Sequence, residues 1–259
     1  MPSLPFLVFT DLDGTLLDHE DYSHDPAEPA LARLRAAGVP VILASSKTAG
    51  EIAPLRADLG LADHPAIVEN GAGVLEPGAE APEDRGRYDE LRAALDRLPA
   101  SLRAAFRGFG DWDVPMIARR TGLPLAEAEL AARRRFSEPG LWRGSEAQKA
   151  AFLGALAAQG VQAREGGRFL TLSFGGTKAS RMAEIAARYG RPFTVALGDA
   201  PNDVEMLEAA DLGFVIANPH RPSLPPLSGE AGGRILRIDA EGPKGWNAAM
   251  ERVIKERGI

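Results

Sequence analysis

With 259 residues, 45% hydrophobic and 25% charged, the chain has a globular composition and can form one large domain or two smaller ones. A net charge of −6 excludes a general nucleic-acid binder, which needs a basic face, and the lack of cysteine excludes disulfides and thiol chemistry. No apolar run approaches the roughly eighteen residues of a membrane span, and the N-terminus lacks a basic signal segment, so a cytoplasmic protein without membrane partners is expected.

The first third of the chain alternates strand and helix signals. Phe6–Thr10 is a short apolar run ending in polar residues, as a strand covered on both faces should be. Pro26 opens a helical pattern closed by Gly38, and Val39–Ala44 is a second buried strand. Thr48-Ala49-Gly50-Glu51 spells a capping box for a helix running to Gly60, and Ala66–Val68 is a third strand. This order predicts an α/β fold with a doubly wound parallel sheet.

The rhythm breaks at Glu76–Arg87, a Pro/Gly/acidic stretch that reads as a linker. Helices are expected at Tyr88–Leu98, at Leu125–Phe136, and from the Ser145 capping box to Gly160; strands are expected at Val161–Arg164 and Arg168–Phe174. Residues 82–174 therefore read as an inserted α+β domain, with 1–81 and 175–259 forming the core. The alternation resumes with a helix at Lys178–Tyr189, a strand at Phe193–Leu197, a helix at Val204–Ala210, strands at Leu212–Ala217 and Ile235–Ile238, and a final helix at Lys244–Arg257.

Two acidic clusters follow strands directly. Asp11-Leu12-Asp13-Gly14-Thr15 follows the first, and Gly198-Asp199-Ala200-Pro201-Asn202-Asp203 follows the strand at Phe193–Leu197. Either could by itself be a turn or helix cap. Ligands, however, bind beyond the carboxyl ends of strands in open α/β sheets, so both clusters are expected at one sheet edge. Carboxylates crowded together need a proton or a cation, and hard oxygen donors suit Mg²⁺.

With Ser45 at the end of the second strand and Lys178 before an amphipathic helix, these motifs resemble, in order and placement, those of the haloacid dehalogenase superfamily of phosphohydrolases. The inserted segment resembles that superfamily's C2-type cap. The resemblance implies a catalytic set of Asp11, Asp13, Ser45 and Lys178. Asp11 would be the nucleophile, Asp13 the general acid and base, and Ser45 a hydrogen-bond donor to the phosphoryl group. It implies Mg²⁺ held by Asp11, the Asp13 backbone carbonyl, Asp199 and Asp203.

Within the superfamily, Ser45-Ser46-Lys47-Thr48, Glu69-Asn70-Gly71-Ala72 and Arg134-Arg135-Phe136-Ser137-Glu138-Pro139 resemble segments of mannosyl-3-phosphoglycerate phosphatases. The implied substrate is a small phosphorylated glycoside, mannosyl-3-phosphoglycerate or its glucosyl counterpart, carrying a carboxylate as well as a phosphate. Lys47, Asn70, Arg135, Arg143, Arg168, Ser173 and Asn202 are the residues expected to bind it, because arginine grips carboxylates with paired hydrogen bonds and the amides suit hydroxyls. A general sugar phosphatase and a phosphomannomutase share these motifs. A catalytically dead binding module would not need all four acids, and no G-x-G-x-x-G follows the first strand to suggest a dinucleotide enzyme. The sequence leaves the oligomeric state open.

Overall fold

The computed structural model describes residues 4–80, 84–166 and 168–259. The inferred domain boundary between residues 81 and 82 lies outside the described residues. Five strands form the central sheet: β1 (Leu7–Thr10), β2 (Val41–Leu43), β9 (Thr194–Gly198), β10 (Leu212–Ala217) and β11 (Ile235–Glu241). Their spatial order is β11-β10-β9-β1-β2, and every pairing is parallel.

Alternation along β1 explains the double winding. Val8 packs with Leu31, Leu34, Ile52, Trp246 and Ile254, from α1 (Glu28–Ala36), α2 (Ala49–Asp58) and α10 (Gly242–Arg257), on one face. Leu7 and Phe9 pack with Met182, Ile185 and Leu207, from α8 (Lys178–Arg188) and α9 (Val204–Ala209), on the other. Side chains of period two on a strand buried on both sides require an apolar residue at every position, which is what the run from Phe6 to Phe9 supplies.

Among the described residues, the third expected strand, β3 (Ala66–Val68), joins the parallel sheet through a single bridge between Ile67 and Ala44. Its regular partner is antiparallel β4 (Gly73–Leu75). The left-handed backbone at Glu69 (φ 50°) and Asn70 (φ 57°) reverses the chain there, which the three-residue apolar run did not announce.

The chain between residues 84 and 173 builds a separate antiparallel sheet, in the order β5-β6-β8-β7. Its strands are β5 (Phe106–Gly108), β6 (Ser137–Trp142), β7 (Gln162–Gly166) and β8 (Phe169–Ser173). The helices around it are α3 (Gly86–Asp96), α4 (Ala100–Ala105), α5 (Val114–Thr121), α6 (Leu125–Ala132) and α7 (Glu146–Ala157). Phe106, Phe152, Leu156 and Leu172 form the centre of its own hydrophobic core. The helix expected to reach Phe136 stops at Ala132, because the backbone N–H groups of Arg135 to Ser137 turn outward to the Glu69 carboxylate. Among the described residues no helix is long and apolar enough to cross a membrane.

Candidate active site

The strand tips of the central sheet place the acidic residues together. Asp11 leaves β1 with its N–H on the Leu197 carbonyl of β9 (2.9 Å), so the first motif is stitched to the strand that carries the second. The loop after Asp11 closes tightly: Thr15 and Leu17 both donate backbone N–H groups to Leu12 O. Gly14 takes φ +81°, which strains any other residue, and a Cβ there would lie 2.5 Å from Asn218 Nδ2 and have to displace that amide.

Carboxylate oxygens of Asp11, Asp199 and Asp203 lie within 4.8 Å of one another, and all three residues are buried. Lys178, first residue of α8, sends Nζ between two of them, 2.7 Å from Asp11 Oδ1 and 2.7 Å from Asp203 Oδ1. A cation at a helix N-terminus opposes the helix dipole, and two buried anions at contact distance outweigh that cost. Asp203 Oδ2 accepts the N–H groups of Asp199 (3.2 Å) and Ala200 (3.0 Å), closing the turn before α9. Asp199 is held by Thr15 Oγ1 (2.8 Å), by Asn218 Nδ2 (2.8 Å) and by the Arg221 guanidinium 3.3 Å away on the solvent side.

The electrostatics follow from crowding. Burial pushes the Lys178 ammonium down, but Asp11 and Asp203 more than reverse this, and it stays protonated well above its ordinary range. Burial raises Asp199, aided by the Asp11 charge. Burial and then Asp11 push Asp203 up to about 7, against the pull of Lys178. Both partners of the Lys178–Asp203 pair thus move upward. One ammonium cannot neutralise three carboxylates, and the residual repulsion falls on the acids. A cluster of hard oxygen donors with an excess of buried negative charge fits a divalent cation such as Mg²⁺.

Ser45 is fully buried just past β2, its N–H on Ile67 O (2.9 Å) and its Oγ accepting Lys47 N–H (3.2 Å). Lys47 Nζ lies 3.0 Å from Asp13 Oδ1 in an ion pair, and 5.2 Å from the centre of the Tyr22 ring. Burial alone would lower this lysine, and Asp13 raises it above its ordinary value. Asn70 and Asn202 meet across the strand tips, Asn202 Nδ2 donating to Asn70 Oδ1 at 3.0 Å.

The cap residues divide. Arg135 lies at the seam with the core, its N–H on Glu69 Oε1 (2.9 Å). Ser173 ends β8 opposite Ser137, its Oγ accepting Gly175 N–H (3.2 Å) on the way back to α8. The other two expected arginines lie away from the carboxylate cluster. Arg143 is exposed beyond the end of β6 remote from Ser137, about 20 Å along the strand by the usual rise per residue. Arg168 precedes β8 at the end remote from Ser173, where its Nη1 donates to the carbonyls of Arg120 (3.0 Å) and Thr121 (3.1 Å) and closes the C-terminus of α5. Among the described residues, neither contacts the carboxylate cluster. Helix-end carbonyls lack partners of their own, and Arg168 satisfies two of them.

Sequence reasoning did not single out Thr15, Asn218 or Arg221. Thr15 was inside the first motif, and Asn218 directly follows a parallel strand, the same placement that marked the acids.

Sucrose-phosphatase of Synechocystis sp. PCC6803, solved with sucrose and phosphate, superposes with a TM-score of 0.61 at 15% identity, covering 98% of each chain. A haloalkanoate-superfamily phosphatase of Bacteroides thetaiotaomicron gives 0.62 at 18% identity, with 98% of this chain and 96% of that one covered. A subclass IIB sugar phosphatase gives 0.62 at 17% identity, over 97% and 98%. At these identities the likeness is one of fold, cap included. The sequence itself matches the haloacid dehalogenase-like hydrolase family over residues 8–85 and 161–223, the stretches that carry Asp11, Ser45, Lys178 and Asp199, and the chain belongs to that family.

Proposed function

We propose that this hydrolase is a Mg²⁺-dependent phosphatase that works through an aspartyl-phosphate on Asp11, and that its substrate is mannosyl-3-phosphoglycerate, with the glucosyl analogue as a second. The observation that carries the reading is the buried Asp11 carboxylate, paired with Lys178 and grouped with Asp199 and Asp203 at one sheet edge.

In this reading Asp11 attacks phosphorus, the bond from phosphorus to the substrate oxygen breaks, and Asp13 gives that oxygen its proton. Water then attacks the same phosphorus and gives a proton to Asp13, and the bond to Asp11 breaks to release inorganic phosphate. Lys178, 2.7 Å from Asp11 Oδ1, offsets the repulsion between that carboxylate and a phosphate dianion, while Ser45 donates to a phosphoryl oxygen. Bound Mg²⁺, on Asp11, Asp199, Asp203 and the Asp13 carbonyl, would supply further charge neutralisation. Lys47, beside Asp13, is set to receive the substrate carboxylate, with Asn70 and Asn202 near its hydroxyls. We assign residues 1–81 and 175–259 to the catalytic core and 82–174 to the cap.

Support for the substrate comes from the Ser45–Thr48, Glu69–Ala72 and Arg134–Pro139 segments and from the sugar phosphatases among the structural relatives. The test is phosphate release from a panel of phosphorylated sugars and glycerates, with and without Mg²⁺. The expected result is greatest kcat/KM for mannosyl-3-phosphoglycerate and no turnover after chelation until the metal is restored. Turnover of mannose 6-phosphate with none of mannosyl-3-phosphoglycerate would reject the substrate assignment in favour of a general sugar phosphatase.

A further inference from the structure

Glu69 is a buried carboxylate that this mechanism does not use, and it makes more bonds across the core–cap seam than any catalytic acid. It is 2% exposed and sits one residue beyond β3 in the left-handed region. Its Oε1 accepts the N–H of Arg135 (2.9 Å), and its Oε2 accepts the N–H groups of Phe136 (3.2 Å) and Ser137 (2.8 Å) and the Ser137 hydroxyl (2.7 Å). Arg134 Nε lies 3.8 Å from the same oxygen. On the core side, Glu69 N–H donates to Lys47 O and Asn70 N–H to Ser45 O, both at 2.9 Å.

One residue therefore ties three segments together: the Ser45–Lys47 loop, the tip of β3 and cap residues 134–137. Beside it run Thr48 Oγ1 to Leu130 O and Arg134 Nη1 to Ser46 O, each at 3.0 Å, and an exposed pair, Arg164 Nη1 to Glu205 Oε1 (2.7 Å), joins cap and core at β7 and α9. Residues 130–137 are remote in sequence from both crossings between core and cap, near 76–86 and 174–177, so covalent connection does not enforce the contact. It forms only when the cap is seated. Three successive peptide N–H groups converging on one anion make a strong, directional grip, and the strained backbone at Glu69 aims the carboxylate into it.

We propose that Glu69 is a positioning residue: a latch that seats the cap on the core in register with Ser45 and Lys47, and that catalysis on substrates large enough to reach the cap depends on it. The kinetic part of this inference rests on the phosphatase reading; the conformational part does not.

The cysteine-free sequence allows clean site-specific spin labelling. Labels at A57C in α2 and A126C in α6, both exposed, report the core-to-cap distance. The parent should give one narrow distance distribution, E69Q a broad one with a longer component, and S137A, which loses a single hydroxyl bond, an intermediate one. In the unlabelled proteins, E69Q should raise KM for mannosyl-3-phosphoglycerate about tenfold while changing kcat for p-nitrophenyl phosphate less than about threefold, as loss of a charge-assisted grip remote from the chemistry would. An E69Q distance distribution identical to that of the parent overturns the latch, and so does an equal loss on both substrates. If neither protein cleaves any phosphate ester, the phosphatase reading fails and the distances alone decide the latch.

Discussion

Lys178 illustrates how partners set the role of a side chain. Its ammonium lies between Asp11 and Asp203 and reduces their repulsion from within the protein, and burial magnifies the interaction. Lys178→Met would leave those acids without their cation. We expect kcat to fall at least about a hundredfold, the usual cost of removing one electrostatic partner from a transition state, measured by phosphate release. A second prediction concerns protons and metal at the same acids. Asp203 in the folded, metal-free protein holds its proton up to about pH 7, whereas the unfolded chain releases it near its ordinary value of 3.8. The folded state therefore binds the extra proton in that window, and stability falls as pH rises through it. A divalent cation competes with that proton, so Mg²⁺ should raise the thermal midpoint more at pH 8 than at pH 5. Equal shifts at both pH values would place the ion elsewhere. These acids were legible in the sequence because each follows an apolar strand. The positions of Arg143 and Arg168, away from the cluster, were not legible, because an arginine gives no local signal of which carbonyl or carboxylate it will meet. Thr15 was passed over for a similar reason: its bond to Asp199 spans 184 residues.

Among the secondary elements, capping chemistry was readable and strand edges were not. The Thr48 and Ser145 capping boxes form as spelled, each Ser or Thr hydroxyl accepting the N3 backbone N–H. Strand β6 was not expected from the sequence, and Pro139 and Gly140 are residues disfavoured inside strands. Pro139 lies one residue past the last β5 pair, Gly108–Gly140, so its missing N–H removes no bond to β5. The 3-10 turn at Glu69–Gly71 carries a further prediction. A Cβ on Gly71, at φ +92°, would lie 2.1 Å from the Thr177 carbonyl carbon and 2.6 Å from Lys178 N. Gly71→Ala must therefore displace the start of α8, and should cost about 3 kcal/mol or more in denaturant titration together with most activity. Gly122→Ala is the control. It has similar backbone (φ +85°) but open space around it, and should cost only about 1 kcal/mol with activity retained. A Gly71→Ala protein as stable and active as the Gly122→Ala protein would contradict the packing described.

On the scale of the whole molecule, the core and cap each have their own apolar interior, and polar bonds at Thr48, Glu69 and Arg134 link them. The alternation of strand and helix in the sequence made the parallel core and an insertion visible, because a sheet covered on both faces demands short, continuously apolar strands. It could not show how the inserted segment sits on the core, because that depends on backbone N–H groups of Arg135 to Ser137, whose destinations have no side-chain signature. The cap has a buried polar junction of its own, in which Glu138 accepts from Tyr88 Oη (2.6 Å), Arg92 Nη1 (2.5 Å) and Gly110 N (2.9 Å). Glu138→Ala leaves Arg92 and Tyr88 short of a partner and should destabilise the cap by about 3–5 kcal/mol. Its signature in calorimetry would be a lowered transition insensitive to Mg²⁺, apart from a metal-sensitive transition of the core.

The central claim is that Asp11 bonds to phosphorus. It can be tested by quenching the enzyme during turnover of mannosyl-3-phosphoglycerate, reducing any acyl phosphate with borohydride and sequencing the peptides by mass spectrometry. The account predicts homoserine at position 11 and nowhere else, absent in the Asp11→Asn protein. Reduction at a different acid, or an unmodified Asp11 in an enzyme that is releasing phosphate, would contradict it.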